Sequence, residues 1–252
     1  MMHLRPFLYT ALALAAPLCA AEETALPPAA QAQQLADEAE EFAQLPLHAA
    51  VAAGDLEACA RLIAAGADVN APSEADPNGS EQGMGYTPLM LAAQKGHAAI
   101  CKLLLASGAA PDNCTLYECT APLFLAAEAG HAEICRILLD AGADVQLPTR
   151  TMFSPLMVAA KKGHAEVCAL LLEKGADVTE VDNGGNSALH HVIAAYAEDA
   201  LSAEASTAVT SLLLKAGAPV NLENDEEYTP IDLAAPIADT PFLQLLLDAQ
   251  VP

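Results

Sequence analysis

The residues best equipped for chemistry in this chain are its cysteines and histidines. Seven Cys and seven His are present among 252 residues. Cys59, Cys101, Cys135 and Cys168 recur along the chain, and the last three each follow a His by four residues: His97, His131 and His164. Ligands spaced i, i+4 share a helix face and can chelate a metal. Cys114 and Cys119 stand apart, five residues from each other within Asn113–Cys119 (NCTLYEC). Close thiols of this kind can pair as a disulfide in an oxidising compartment. Adjacent His190 and His191 are the remaining imidazole cluster, for which packing is the expected role. Asn78-Gly79-Ser80 and Asn113-Cys114-Thr115 match the glycosylation acceptor pattern, which is a weak signal. Glu223–Glu227 (ENDEE) lacks the spaced ligands and Gly of a calcium loop and reads as a solvated acidic tip. No Ser-His-Asp motif, phosphate-cradling Gly loop or paired-carboxylate signature occurs. The expectation is a non-catalytic protein with no cofactor and no metal.

Composition narrows the partners. Lys and Arg total 10 against 33 Asp and Glu, a formal net charge of −23. Phosphate backbones and anionic lipid surfaces both require a basic face, so neither nucleic acid nor a membrane surface is expected. No apolar run reaches the roughly 18 to 20 residues of a membrane-spanning helix. Hydrophobic residues make up 54% but aromatics only 4%, with no Trp. The core must therefore be built of Ala, Leu, Ile and Val, which suits closely packed helices.

The N-terminus reads as an address. One basic residue, Arg5, precedes the apolar run Phe7–Leu18, and the first acids are Glu22 and Glu23. This is the pattern of a secretory signal peptide over 1–21, with cleavage after Ala21. A lipid carried on Cys19 and an uncleaved anchor are the alternatives. Loss of the leader would leave 9 basic residues and place the thiols in an oxidising, exported compartment, periplasmic or secreted. Residues 22–45 then read as a linker and an acidic capping helix, Gln31–Gln44.

The elements that must position these side chains are repeats. Thr87–Ala110, Ala121–Asp144 and Ser154–Asp177 carry the same pattern, with Pro88, Pro122 and Pro155 spaced 34 and 33 residues apart. Gly96, Gly130 and Gly163 follow each Pro by 8 residues, and Gly108, Gly142 and Gly175 lie 12 further on. Pro46, Gly54 and Gly66 keep the same offsets in an earlier copy. A fifth copy runs from Ser187 to Asn221 with 9 extra residues between its helices, and a sixth begins at Tyr228. Pro suits the first turn of a helix, where its missing N–H would be unpaired anyway. Gly supplies a left-handed cap at the helix end. A second helix follows, carrying apolar triplets such as Leu103-Leu104-Leu105, and a Gly-Ala turn leads into a polar loop. One unit cannot bury its own apolar face, whereas stacked units can.

The TPL start, the central Gly-His and the LLLxxGAD end resemble the ankyrin repeat family over about four-fifths of the chain. The resemblance implies an all-α solenoid of helix-loop-helix units at 46–85, 86–118, 119–152, 153–185 and 186–227, with a truncated sixth at 228–252. It also implies that the four spaced Cys, each 13 residues after its Pro, lie on successive second helices. Stacking at roughly a helix diameter, ~10 Å, is too far for disulfides between them. Each His of the Gly-His pairs fills the family's turn-stabilising slot, which argues against metal. The family's His two residues after Pro is kept as His48 and His190, while Met90, Phe124, Met157 and Asp232 replace it with an expected loss of a hydrogen bond. An insertion, 71–85, should project as a mobile finger.

The resemblance further implies that another protein is bound on a concave face of loop tips and first helices. The tip residues two before each Pro or its equivalent are Tyr86, Thr120, Phe153, Asn186 and Tyr228, with Met84, Tyr117 and Glu118 beside them. The outward first-helix positions are Gln94, Lys95, Glu128, Lys161 and Lys162, and Arg150 joins the three Lys in a basic patch suited to an acidic partner surface. The alternative function is thiol-based redox or metal handling by the cysteines.

Overall fold

The computed structural model describes residues 46–73, 85–237 and 243–249, all within one compact unit, Glu41–Pro252. The leader, the linker with its capping helix, residues 74–84 of the finger including Met84, and the glycosylation pattern at Asn78 lie outside the described residues. Twelve helices and no strands are found among the described residues. They form six consecutive pairs: α1 (Pro46–Ala52) and α2 (Leu56–Ala64); α3 (Pro88–Lys95) and α4 (Ala98–Ala106); α5 (Pro122–Glu128) and α6 (Ala132–Asp140); α7 (Pro155–Lys161) and α8 (Ala165–Glu173); α9 (Ala188–Ala197) and α10 (Ala203–Lys215); α11 (Pro230–Ala234) and α12 (Leu243–Ala249). The sixth unit is short but contains both helices.

Local chemistry sets the helix ends. Thr87 Oγ1 accepts from the Met90 N–H at 3.3 Å, and Ser154 Oγ accepts from the Met157 N–H at 3.4 Å, with Pro in the first turn of each helix. A side-chain cap of this kind contributes about 1 kcal/mol. Two of the four His replacements recover a turn bond that the sequence led us to expect was lost. Met90 Sδ accepts from the Thr87 N–H at 3.4 Å, and Asp232 Oδ2 accepts from the Thr229 N–H at 2.9 Å. A sulfur or carboxylate at that position closes the same ring as an imidazole. His48 and His190 do more. Their Nε2 atoms reach the carbonyls of Tyr86 and Tyr228 in the next unit at 2.9 and 3.0 Å.

The Gly-His step couples neighbouring units. Gly54, Gly96 and Gly130 all have positive φ. A Cβ at Gly96 would lie 2.9 Å from Cε1 of His131, and one at Gly130 would lie 2.7 Å from Cε1 of His164. Each His ring thus lies on the Gly of the preceding unit. Its Nε2 then meets a backbone carbonyl: His131 with Gln94 at 3.3 Å and His164 with Glu128 at 3.0 Å. These rings are committed to stacking.

A second set of bonds joins the turns that follow the second helices. The residue four after the second Gly accepts from a backbone N–H of the next unit. Asn70 takes Ala110 at 2.8 Å, Asp112 takes Asp144 at 2.9 Å, and Gln146 takes Asp177 at 3.0 Å. The series stops at the fifth unit, where Pro219 occupies the donor position and has no N–H.

The first helices are buried almost all round. Leu89, Met90, Leu91, Ala92 and Ala93 are buried, as are the corresponding residues of α5 and α7. Paired Ala residues let these helices approach closely, and they pack more extensively on one another than the second helices do. The second helices bury one face, which in α4 is Ile100, Cys101 and Leu104. The extra residues of the fifth unit lengthen α9 to 10 and α10 to 13 residues instead of making a long loop.

Candidate interaction surface

The loops between units form a second continuous row beside the first helices. Their tips are tied by backbone bonds: Arg150 N–H to the Glu118 carbonyl at 2.9 Å, Asn183 to Thr151 at 3.0 Å, and Asp225 to Gly184 at 3.0 Å. Within the row, Cys119, Met152 and Glu227 hold left-handed backbone at φ 54, 60 and 66°. Such conformations are costly for residues other than Gly and persist where surrounding structure enforces them.

Large apolar side chains stand exposed on these tips. Leu116 is 70% exposed, Tyr117 50%, Met152 50% and Tyr228 38%. Val181 is exposed between them. Glu118 and Asp225–Glu227 are exposed in the same row. Rigid loops therefore present apolar anchors flanked by acids. Tyr228 was legible in the sequence as a tip residue, and Tyr117 and Glu118 as loop residues beside the tips. Leu116, Met152 and Val181 were not, because nothing in their spacing separates an exposed tip from a buried hairpin residue.

The other sequence-derived positions divide by what they touch. Phe153 is half-buried, with its ring 6.1 Å from Phe124 and edge-on to His191 at 4.6 Å, and with Lys161 Nζ 6.0 Å from its centroid. It anchors the loop to the first-helix row. Tyr86 is likewise half-buried; burial, and secondarily the Glu128 carboxylate, pushes its phenol pKa up. Thr120 closes its own loop by donating to Thr115 Oγ1 at 3.0 Å. Asn186 Oδ1 accepts from Asn224 Nδ2 at 2.8 Å. Gln94, Lys161 and Lys162 are exposed, and Lys162 Nζ lies 3.7 Å from Glu128. Arg150 donates from its guanidinium to the Leu116 carbonyl at 2.8 Å. The basic patch is thus interwoven with acids and carbonyls of its own chain, and Lys95 also has an interaction within it.

Asp182 organises the fourth loop. Its Oδ1 accepts from the N–H groups of Gly184 and Asn186 at 2.9 Å each, and its Oδ2 meets His191 Nε2 at 2.9 Å. The Asp-x-Gly spacing of 182–184 is a turn signal that could have identified it. Burial lowers the His191 pKa, opposed by Asp182.

The spaced cysteines are core residues. Cys59, Cys101, Cys135 and Cys168 are fully buried. Burial pushes the thiols of Cys101, Cys135 and Cys168 up to about 12 and raises Cys59 as well. A thiol must ionise to attack or to bind metal, and burial opposes ionisation all along this ladder. Cys114 and Cys119 are partly exposed and free; burial, and secondarily the neighbouring Cys119, raises the Cys114 pKa. Asn113 of the second glycosylation pattern donates from its amide to Asn70 Oδ1 at 3.3 Å.

The helix pairs, their 33-residue period and their inter-unit bonds define a repeat solenoid. The family model described as ankyrin repeats in three copies matches residues 47–149, and the model for ankyrin repeats in many copies matches 138–192. The chain belongs to the ankyrin repeat family. Ankyrin repeats are generally protein–protein interaction modules. Comparison with curated proteins gives no match.

Proposed function

We propose that this chain is a non-catalytic adaptor that binds a partner protein on its loop tips and the adjoining first helices. The observation that carries this reading is the row of exposed apolar side chains, Leu116, Tyr117, Met152 and Tyr228, on mutually bonded loops. Aromatic and large apolar residues held rigidly are the usual anchors of protein interfaces. The acids around them, on a chain of net charge −23, favour a partner with basic residues flanking its apolar contacts. Lys161, Lys162 and Gln94 extend the surface onto the first helices. The leader pattern over 1–21 supports an exported compartment for this activity. Burial of the cysteine ladder weighs against the alternative of redox or metal handling by those residues.

The test is affinity capture from the exported fraction of the native cell. One bait is the wild-type chain, and the other carries Leu116→Ser, Tyr117→Ser and Met152→Asn. Asn tolerates the left-handed backbone at 152. A protein retained by the first bait and lost by the second identifies the partner and the surface. Equal retention removes the loop tips from the interface. Recovery of the chain only in the cytosol overturns the export reading.

A further inference from the structure

We propose that Cys114 and Cys119 form a reversible disulfide within their loop by exchange with a small-molecule disulfide such as oxidised glutathione. This site is independent of the partner-binding reading. The loop folds back on itself: Thr115 N–H donates to the Thr120 carbonyl at 3.1 Å, and Thr120 N–H donates to Thr115 Oγ1 at 3.0 Å. The two cysteines immediately precede Thr115 and Thr120, so the closure holds both within one short folded loop. Cys119 N–H also donates to the Thr115 carbonyl at 3.1 Å, with Cys119 in left-handed backbone. The left-handed backbone recurs at Gly85, Met152, Gly185 and Glu227, the same place in the other loops, so it belongs to the repeat.

The next loop clasps the closed form from outside. Arg150 donates from its guanidinium to the Leu116 carbonyl at 2.8 Å and from its backbone to the Glu118 carbonyl at 2.9 Å. Joining the sulfurs therefore requires little further ordering of the chain. Both thiols are partly exposed, unlike the four of the ladder. Burial, and secondarily the neighbouring Cys119, raises the Cys114 pKa to about 11, with Arg150 acting in the opposite direction. The exchange should therefore accelerate with rising pH across the neutral and mildly alkaline range.

The chemistry balances in two steps. One protein thiolate attacks a sulfur of oxidised glutathione, forming a mixed disulfide and releasing one glutathione thiolate. The second protein thiolate attacks the protein sulfur of the mixed disulfide and releases another. The two cysteines lose two protons and two electrons, and one oxidised glutathione becomes two reduced molecules.

The full chain, purified reduced, would be equilibrated natively with mixtures of reduced and oxidised glutathione, quenched by alkylation and cleaved after Glu118. That cut separates the two cysteines, so only a disulfide keeps their peptides joined. Joined peptides that lack two hydrogens, with the four ladder thiols alkylated only after unfolding, support the proposal. Cys114→Ser should instead retain a glutathione on Cys119 that the wild type sheds. Wild-type chain that keeps glutathione on both residues, a link to Cys19, or a 114–119 link that forms only in urea would overturn it.

Discussion

At the residue scale, two chemically identical substitutions should behave differently. Gly130 and Gly142 both have positive φ, 76° and 92°. An added Cβ at Gly142 meets nothing within 4 Å, whereas at Gly130 it would lie 2.7 Å from the His164 ring. Gly142→Ala should cost about 1 kcal/mol from backbone strain alone. Gly130→Ala should cost about 2–3 kcal/mol more, since the ring must leave its carbonyl partner. Urea unfolding measures both, and His164→Ala should relieve much of the second cost. A similar loss in the two variants would remove the ring contact from the account. Titration offers a second test. Burial lowers the folded pKa of His48, His190 and His191 from 6.5. The unfolded chain then binds more protons below that value, so this contribution is complete above about pH 6.5 and is lost as pH falls towards the folded pKa. The urea midpoint should drop between about pH 7.5 and pH 5.5, a window above the usual carboxylate range. An unchanged midpoint would contradict neutral buried imidazoles.

At the element scale, α10 departs from the other second helices. It has 13 residues where its counterparts α4, α6 and α8 have 9, and it buries Ser206 and Thr210 completely. Ser206 Oγ returns a bond to the Ser202 carbonyl at 2.9 Å. The Thr210 hydroxyl is buried with no hydrogen-bond partner among the described residues. Replacing a buried, unsatisfied hydroxyl by a methyl of the same shape removes a desolvation cost. Thr210→Val should therefore stabilise the chain by about 1 kcal/mol, seen as a higher urea midpoint with unchanged slope. A lower midpoint would mean that the hydroxyl has a partner in solution, such as water.

At the scale of the whole molecule, stability is set unit by unit, because each repeat mainly contacts its neighbours. Units two to four bury nearly complete first helices, and the Asn70, Asp112 and Gln146 bonds link units one to four. The sixth unit has a first helix of only 5 residues and buries little beyond Pro230, Ala234 and Leu246. Amide exchange should be slowest in α3 to α8 and markedly faster in α11 and α12, read by mass spectrometry of fragments. Uniform protection would show that the stack opens as one cooperative unit.

The period of Pro and Gly, with the apolar runs between them, determined the helix pairs and their order, and the family resemblance they carry implied the all-α stacking. A repeated offset means a repeated backbone conformation, and that conformation is local chemistry. The spacing also gave the ladder of cysteines and the tip position of Tyr228. It did not tell the half-buried Phe153 from the exposed Met152, one residue earlier, because burial depends on neighbours contributed by other units: Phe124 and His191 for Phe153. Nor did it show that Met90 and Asp232 mend turns left without His, or that Arg150 is tied to the Leu116 carbonyl. Those contacts join residues 3 to 34 positions apart. The first two are local geometry that a family pattern hides, and the last exists only once the loops are stacked.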